Sequence, residues 1–235
     1  MMTRAPANWN KRGLPVKAAP LCSVSGESIG EEIANTVTGG LGFLLAVGGL
    51  TVLIIFASLY GTAWHIVSFA IYGVTLVMLY GISTLYHASR HPRRKRLLQM
   101  MDHAAIFLLI AGTYTPFTLV TLNGRWGWSL FGIVWGLAVA GIVLKIFFIH
   151  RFQVGFVLVY LAMSWMVLLA LGPIRVHLPE GGIALLFSGG LAYTGGLGFY
   201  AWEKLPFHHT LWHLFVLAGS ICHYCAVLFY VLSVT

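Results

Sequence analysis

Seven stretches of the chain each offer about 20 predominantly apolar residues, the length one helix needs to cross the hydrocarbon core of a bilayer. They fall near 36–58, 64–87, 102–122, 127–147, 154–172, 183–202 and 211–233. Backbone polar groups in lipid must be satisfied internally, and only helices or closed barrels do that. Connections such as 60–63 and 123–126 are only a few residues long, which makes neighbouring helices run antiparallel. The expected fold is therefore an all-α membrane protein, a seven-transmembrane-helix bundle. Paired glycines at Gly39–Gly40, Gly48–Gly49, Gly189–Gly190 and Gly195–Gly196 would let its helices approach closely.

Composition agrees with this reading. Charged residues make up 9% of the chain, against about 25% in soluble domains, and the mean hydropathy is +0.86. Lipid must cover what polar side chains cannot. The formal net charge of +8 would suggest nucleic acid on a soluble protein, but here the basic residues lie between apolar runs and act as an orientation signal. With the amino terminus inside, all of the 14 Lys and Arg except Arg125 and Arg175 fall on the inner side. The rule that inner loops carry the positive charge thus puts the amino terminus in the cytoplasm and the carboxyl terminus outside a multi-pass protein of the cell membrane. Nucleic acid is not an expected partner; membrane lipids are. Residues 1–30, with Arg4, Lys11, Arg12 and Lys17 among several prolines, read as a mobile basic tail, and residues 31–235 as the membrane domain. Cys22, Cys222 and Cys225 make no disulfide framework, and the last two, three apart on the final span, read as packing residues.

The polar groups inside this apolar frame are few enough to be informative. Asp102, the only aspartate, opens the third span after a cluster of five cations. An ionisable group at membrane depth usually has a partner or a task; the plainer alternative is a carboxylate meeting a helix N-terminus. His87 closes the second span one turn after Ser83, and His209 and His213 open the seventh. Two histidines four apart on a helix share a face at about 6 Å, a spacing that suits two ligands of one metal ion. In the orientation derived above, Ser83, His87, Asp102, His209 and His213 all come to the cytoplasmic side at similar depth. Three imidazoles and one open position make the arrangement of catalytic zinc. His103 and His208 are rotated by about 100° from their site neighbours and should face elsewhere. His223 lies about 15 Å deeper than His213, where it reads as a packed or supporting histidine.

In combination, Glu32-Ile33-Ala34-Asn35, Ser83 with His87, Asp102, and His209 with His213 resemble the hemolysin III proteins, the bacterial branch of the progestin and adipoQ receptor superfamily. The surrounding strings EEIAN, STLYHA, DHAAIFLLIAGTYTP and LWHLFVLAGSICH are similar as well, and the resemblance runs from about residue 28 to the end. It implies seven helices with the amino terminus inside and a zinc ion near the cytoplasmic face, held by His87, His209 and His213. Asp102 would hold the reactive water, with Ser83 beside it. Glu32 and Asn35 match a first-helix motif, while Gly39 stands where many relatives carry histidine or glutamine. In animal adiponectin-receptor relatives the site is linked to ceramide hydrolysis. The bacterial family name records a haemolytic activity, and a part in membrane energetics or lipid homeostasis has been proposed.

If the chain is an enzyme, hydrolysis of an amide or ester bond in a lipid is the expected chemistry. Asp102 would act as general acid and base and Ser83 as a donor to the developing oxyanion. Two other classes compete: a pore-forming haemolysin-like protein, and a lipid-responsive receptor in which the metal ties helices together. A retinal-type photoreceptor would need a buried lysine, for which Lys145 is the sole candidate, and a transporter would need charges at the centres of spans.

Overall fold

A computed structural model describes residue 22, residues 24–148 and residues 152–233, with the side chain of residue 153 excepted. The tail expected at residues 1–30 lies outside these as far as residue 21, as do the orientation cations Arg4, Lys11, Arg12, Lys17 and Arg151. All regular structure among the described residues is helical: α1 (Ile29–Tyr60), α2 (Ala63–Ala88), α3 (Pro92–Pro116), α4 (Gly124–Phe148), α5 (Gln153–Ser164), α6 (Leu171–His177), α7 (Glu180–Ala201) and α8 (His208–Ala226). A tighter turn at Trp165–Ala170 joins α5 to α6 as a single crossing, and widened turns at Phe117–Leu122 and Val227–Val231 extend α3 and α8. The result is seven helices long and apolar enough to span a membrane.

Three boundaries differ from those read in the sequence. The first helix starts at Ile29, because Ser28 and Glu31 form a reciprocal capping box that satisfies two orphan donors. The third starts at Pro92, ten residues before Asp102. Proline is pre-set for the first helical position, and the following Arg, Lys, Leu and Gln are good helix formers that a hydropathy window rejects. The fifth crossing continues to His177 through its tightened middle.

The third crossing is the axis of the bundle. Of its most apolar window 78% is buried, against 22% for the first crossing and 17% for the fifth. The chain wraps around it in order, α1 on α2, α2 on α3, α3 on α4 and α7 on α8, with α1 closing against α8. Close approach is sequence-encoded: a Cβ at Gly141 would strike the Phe107 ring, and one at Gly112 would strike Thr75. Outward faces carry Leu44, Phe147, Leu169 and Val176, all largely exposed, as lipid contact requires. The turn into α4 uses Asn123 and Gly124 at φ 39° and 58°, residues that tolerate the left-handed region. α3 thus runs centrally with Asp102 in its third turn, beside the ends of α2 and α8.

Candidate metal centre

His209 and His213 are brought into position by the way α8 begins. The residue before the helix, Phe207, has a left-handed backbone at φ 57°, uncommon for a bulky side chain. Its N–H donates to Glu31 Oε1 at 2.8 Å, which fixes the start of α8 to the start of α1. One turn apart on the next face, His209 and His213 meet His87 from the last turn of α2. Ring centroids stand 4.9 Å apart for His87 and His209, 5.1 Å for His87 and His213, and 4.9 Å for His209 and His213, with planes nearly perpendicular. Each ring offers a nitrogen within 4.8 Å of the others.

Hydrogen bonds on the far side of each ring decide which nitrogen that is. His87 Nδ1 lies 2.9 Å from Glu32 Oε2, and His209 Nδ1 lies 2.5 Å from Glu27 Oε1. Carboxylates accept, so both Nδ1 atoms carry the hydrogen. His213 Nδ1 lies 3.1 Å from Thr38 Oγ1, whose own hydrogen goes to the carbonyls of Ala34 and Asn35. The threonine oxygen therefore accepts too. Each ring thus turns Nδ1 to a supporting acceptor and leaves Nε2 for a metal, the orientation that such hydrogen-bond partners impose on metal-binding imidazoles. His87 Nε2 is buried and has no hydrogen-bond partner among the described residues, an orphan that a cation at the centre of the three rings would satisfy.

Glu27, Glu32 and His87 form a second group close enough to hold a metal, but their atoms are already committed. Glu32 accepts from His87, from the Ser25 hydroxyl and from Lys95 Nζ at 2.8 Å. Glu27 accepts from His209 and, at 2.7 Å, from Asn35 Nδ2. Asn35 Oδ1 in turn accepts from Thr210, between the two α8 histidines, at 2.5 Å. These groups are the supporting layer of the three-histidine centre.

The family model for haemolysin-III-related proteins matches residues 27–224. The chain belongs to that family. It is 50% identical over 202 residues to Hemolysin-3 of Bacillus cereus, covering 86% of this chain and 92% of that protein. It is 51% identical over 207 residues to the Hemolysin-3 homolog of Bacillus subtilis, covering 88% and 97%. The human monocyte to macrophage differentiation factor is 27% identical over 233 residues, covering 97% of this chain and 90% of its own.

In this haemolysin-III family chain Asp102 and Ser83 stand beside the three imidazoles. Both are buried, and Ser83, His87 and His209 are the polar groups that act on the Asp102 carboxyl. Asp102, Ser83, His209 and His213 all line one cavity of about 130 Å³. Leu122, 20 residues beyond Asp102 on the same helical crossing, lines it as well, so the cavity runs about 30 Å along the bundle. Its walls are overwhelmingly apolar. His223 lines the cavity but stands outside the three-histidine group. His208 turns away to the Tyr200 carbonyl.

Sequence reasoning missed four members of the supporting layer. Glu27 looked like part of a tail; Glu31 stood only in the flanking string EEIAN, with no role assigned, and Thr38 carried no motif. Lys95 counted as a loop cation, yet it is 1% exposed, bonded to Glu32 and the Tyr86 carbonyl, with its ammonium 4.5 Å over the Tyr86 ring. The usable signal was economy: a chain with six acidic residues places three of them in the first turns around α1, where lipid-facing residues would be expected. Gly39 proves to face α2, with Thr84 Oγ1 3.0 Å from where a Cβ would sit; the first helix supports the centre through Glu32, Asn35 and Thr38 instead.

Replacing Glu27 by glutamine turns an amide NH₂ toward either His209 Nδ1–H or Asn35 Nδ2, donor against donor. Metal affinity should fall about 10- to 100-fold, read by competition with a chromophoric chelator; unchanged affinity would remove Glu27 from the supporting layer.

Proposed function

We propose that this haemolysin-III family membrane protein is a zinc-dependent hydrolase of amide or ester bonds in membrane lipids, working from the cytoplasmic side. One observation carries the reading: a group of three imidazoles stands at one end of a long apolar cavity that Ser83, Asp102, His209 and His213 line. Structural zinc is typically closed by four protein ligands, whereas catalytic zinc keeps three and an open position. The described residues offer three at this centre, and two of them, His209 and His213, line the cavity.

A bound zinc ion would supply fixed double positive charge that polarises a carbonyl and acidifies water. The remaining work falls to side chains. His87, His209 and His213 would hold the ion through Nε2, oriented by Glu32, Glu27 and Thr38. Asp102 takes a proton from attacking water and returns it to the departing amine or alcohol. Ser83, beside it on the cavity wall, would donate to Asp102 and so aim its free oxygen. The apolar walls bind the acyl chain and exclude bulk water, which strengthens every electrostatic contact at the polar end. Orientation follows from charge: Arg90, Arg93, Arg94, Arg96 and Lys204 lie at the histidine end of the bundle, which supports a cytoplasmic amino terminus and an outer carboxyl terminus.

The test uses purified protein reconstituted with ceramides, other N-acyl lipids and acyl esters. Fatty acid should be released, release should stop on chelation, and added zinc should restore it. Stoichiometric zinc with no release from any amide or ester would leave the metal as a tie between helices. Release indifferent to chelation would overturn the metal's role.

A further inference from the structure

Two turns away from the imidazoles the cavity wall changes character. Tyr80 stands seven residues before His87 and Ser220 seven residues after His213, each about 10 Å along its helix. Their side chains meet, Tyr80 OH donating to Ser220 Oγ at 2.9 Å, so both belong to one layer. Tyr193 OH pairs with the same Ser220 oxygen at 2.9 Å, and the His223 ring packs edge-on to Tyr193 with centroids 5.3 Å apart. Gly189 makes room, since a Cβ there would strike the His223 ring. Tyr80, Tyr193 and His223 all line the cavity.

This layer is incompletely satisfied in a specific way. Three hydroxyls share two hydrogen bonds, so one hydroxyl hydrogen, on Tyr193 or Ser220, has no acceptor among the described residues. His223 Nε2 lies 3.1 Å from the Leu186 carbonyl; a carbonyl only accepts, so Nε2 carries the hydrogen and Nδ1 a lone pair. That Nδ1 is buried without a partner among the described residues, on a residue 8% exposed. Unmet polar groups in an apolar interior are costly and call for an explanation.

We propose that this layer is a subsite for a hydroxyl group on the lipid chain, deepening the lipid-hydrolase reading, on which it rests. One spare donor and one spare acceptor match a hydroxyl, which accepts one hydrogen bond and gives another; a methylene satisfies neither. With its head group at the imidazoles, a chain would present such a hydroxyl about eight to ten carbons along, given a two-turn separation and ordinary carbon–carbon bonds. The substrate class is thus a mid-chain hydroxylated acyl lipid.

The experiment compares 10-hydroxystearate with stearate as competitors for a fluorescent fatty acid bound to the full-length protein in detergent, before and after chelation. The hydroxylated acid should compete at about tenfold lower concentration, the effect of two buried hydrogen bonds, with the same ratio after chelation. Tyr193→Phe and His223→Leu should each pull the ratio toward one without weakening stearate. His223→Gln, which keeps an acceptor, should retain part of it. If Tyr193→Phe does not fold, the two His223 variants make the comparison. Equal competition in the unaltered protein would sink the subsite and leave the lipid cavity standing, with water as the occupant of the layer. Failure of both acids to compete would sink the subsite and the lipid reading together.

Discussion

Replacing His209 by alanine should lower the zinc content of the purified protein from about one ion per chain to background, as measured by plasma emission spectroscopy. Two imidazoles remain, but binding through three neutral nitrogens in a rigid triangle is what gives a centre of this kind its affinity. The triangle here is rigid for identifiable reasons. Glu31 pins the backbone at Phe207, Asn35 ties Glu27 to Thr210, and Glu32 holds His87 from the opposite side. Loss of one ring cannot be made good by movement of the others.

Two controls separate loss of a ligand from general damage. His208→Ala removes the adjacent imidazole, which is bonded to the Tyr200 carbonyl and directed away from the centre, and should leave zinc unchanged. His213→Ala should match His209→Ala, since its Nδ1 rests on Thr38 and its Nε2 completes the triangle. Full zinc occupancy in His209→Ala would sink the three-imidazole centre, and with it the order of the hydrogen bonds behind it.

The number of crossings and the three-histidine group were legible because each has a signature that survives without coordinates. Twenty apolar residues announce a crossing, and two histidines four apart announce a shared face. Charge bias then brought Ser83, His87, Asp102, His209 and His213 to one end, and the structure assembles all five there. What stayed hidden depends on contacts between residues far apart in the chain. Thr38 meets His213 and Glu27 meets His209 across more than 170 positions, and no local pattern encodes either. Lys95 was misread for a related reason. A lysine within five cations resembles every other loop lysine until a helix starting at Pro92 turns that one side chain inward onto Glu32. Gly39 misdirected attention to one position of α1 while Thr38, next to it, held the imidazole.

Asp102→Asn should retain zinc and lose hydrolysis, with turnover of a susceptible N-acyl lipid falling by about 10²- to 10⁴-fold, the range general acid–base catalysis commands. The asparagine keeps the shape of the side chain and can still accept from Ser83 through its oxygen. It can neither take a proton from water nor deliver one to a leaving amine. The imidazoles themselves are sustained by Glu27, Glu32 and Thr38 on α1, not by Asp102 on α3, so removal of its charge should leave the metal bound. This separation between what holds the ion and what moves the proton is the physical content of the enzyme reading. A helix-tying metal would need no proton acceptor facing an acyl-sized cavity, and Asp102→Asn would then change nothing but stability. Measured side by side, zinc content and fatty acid release distinguish the two: both lost means Asp102 is a ligand, release alone lost means it is the acid and base, and undiminished release returns it to a structural role at the head of α3.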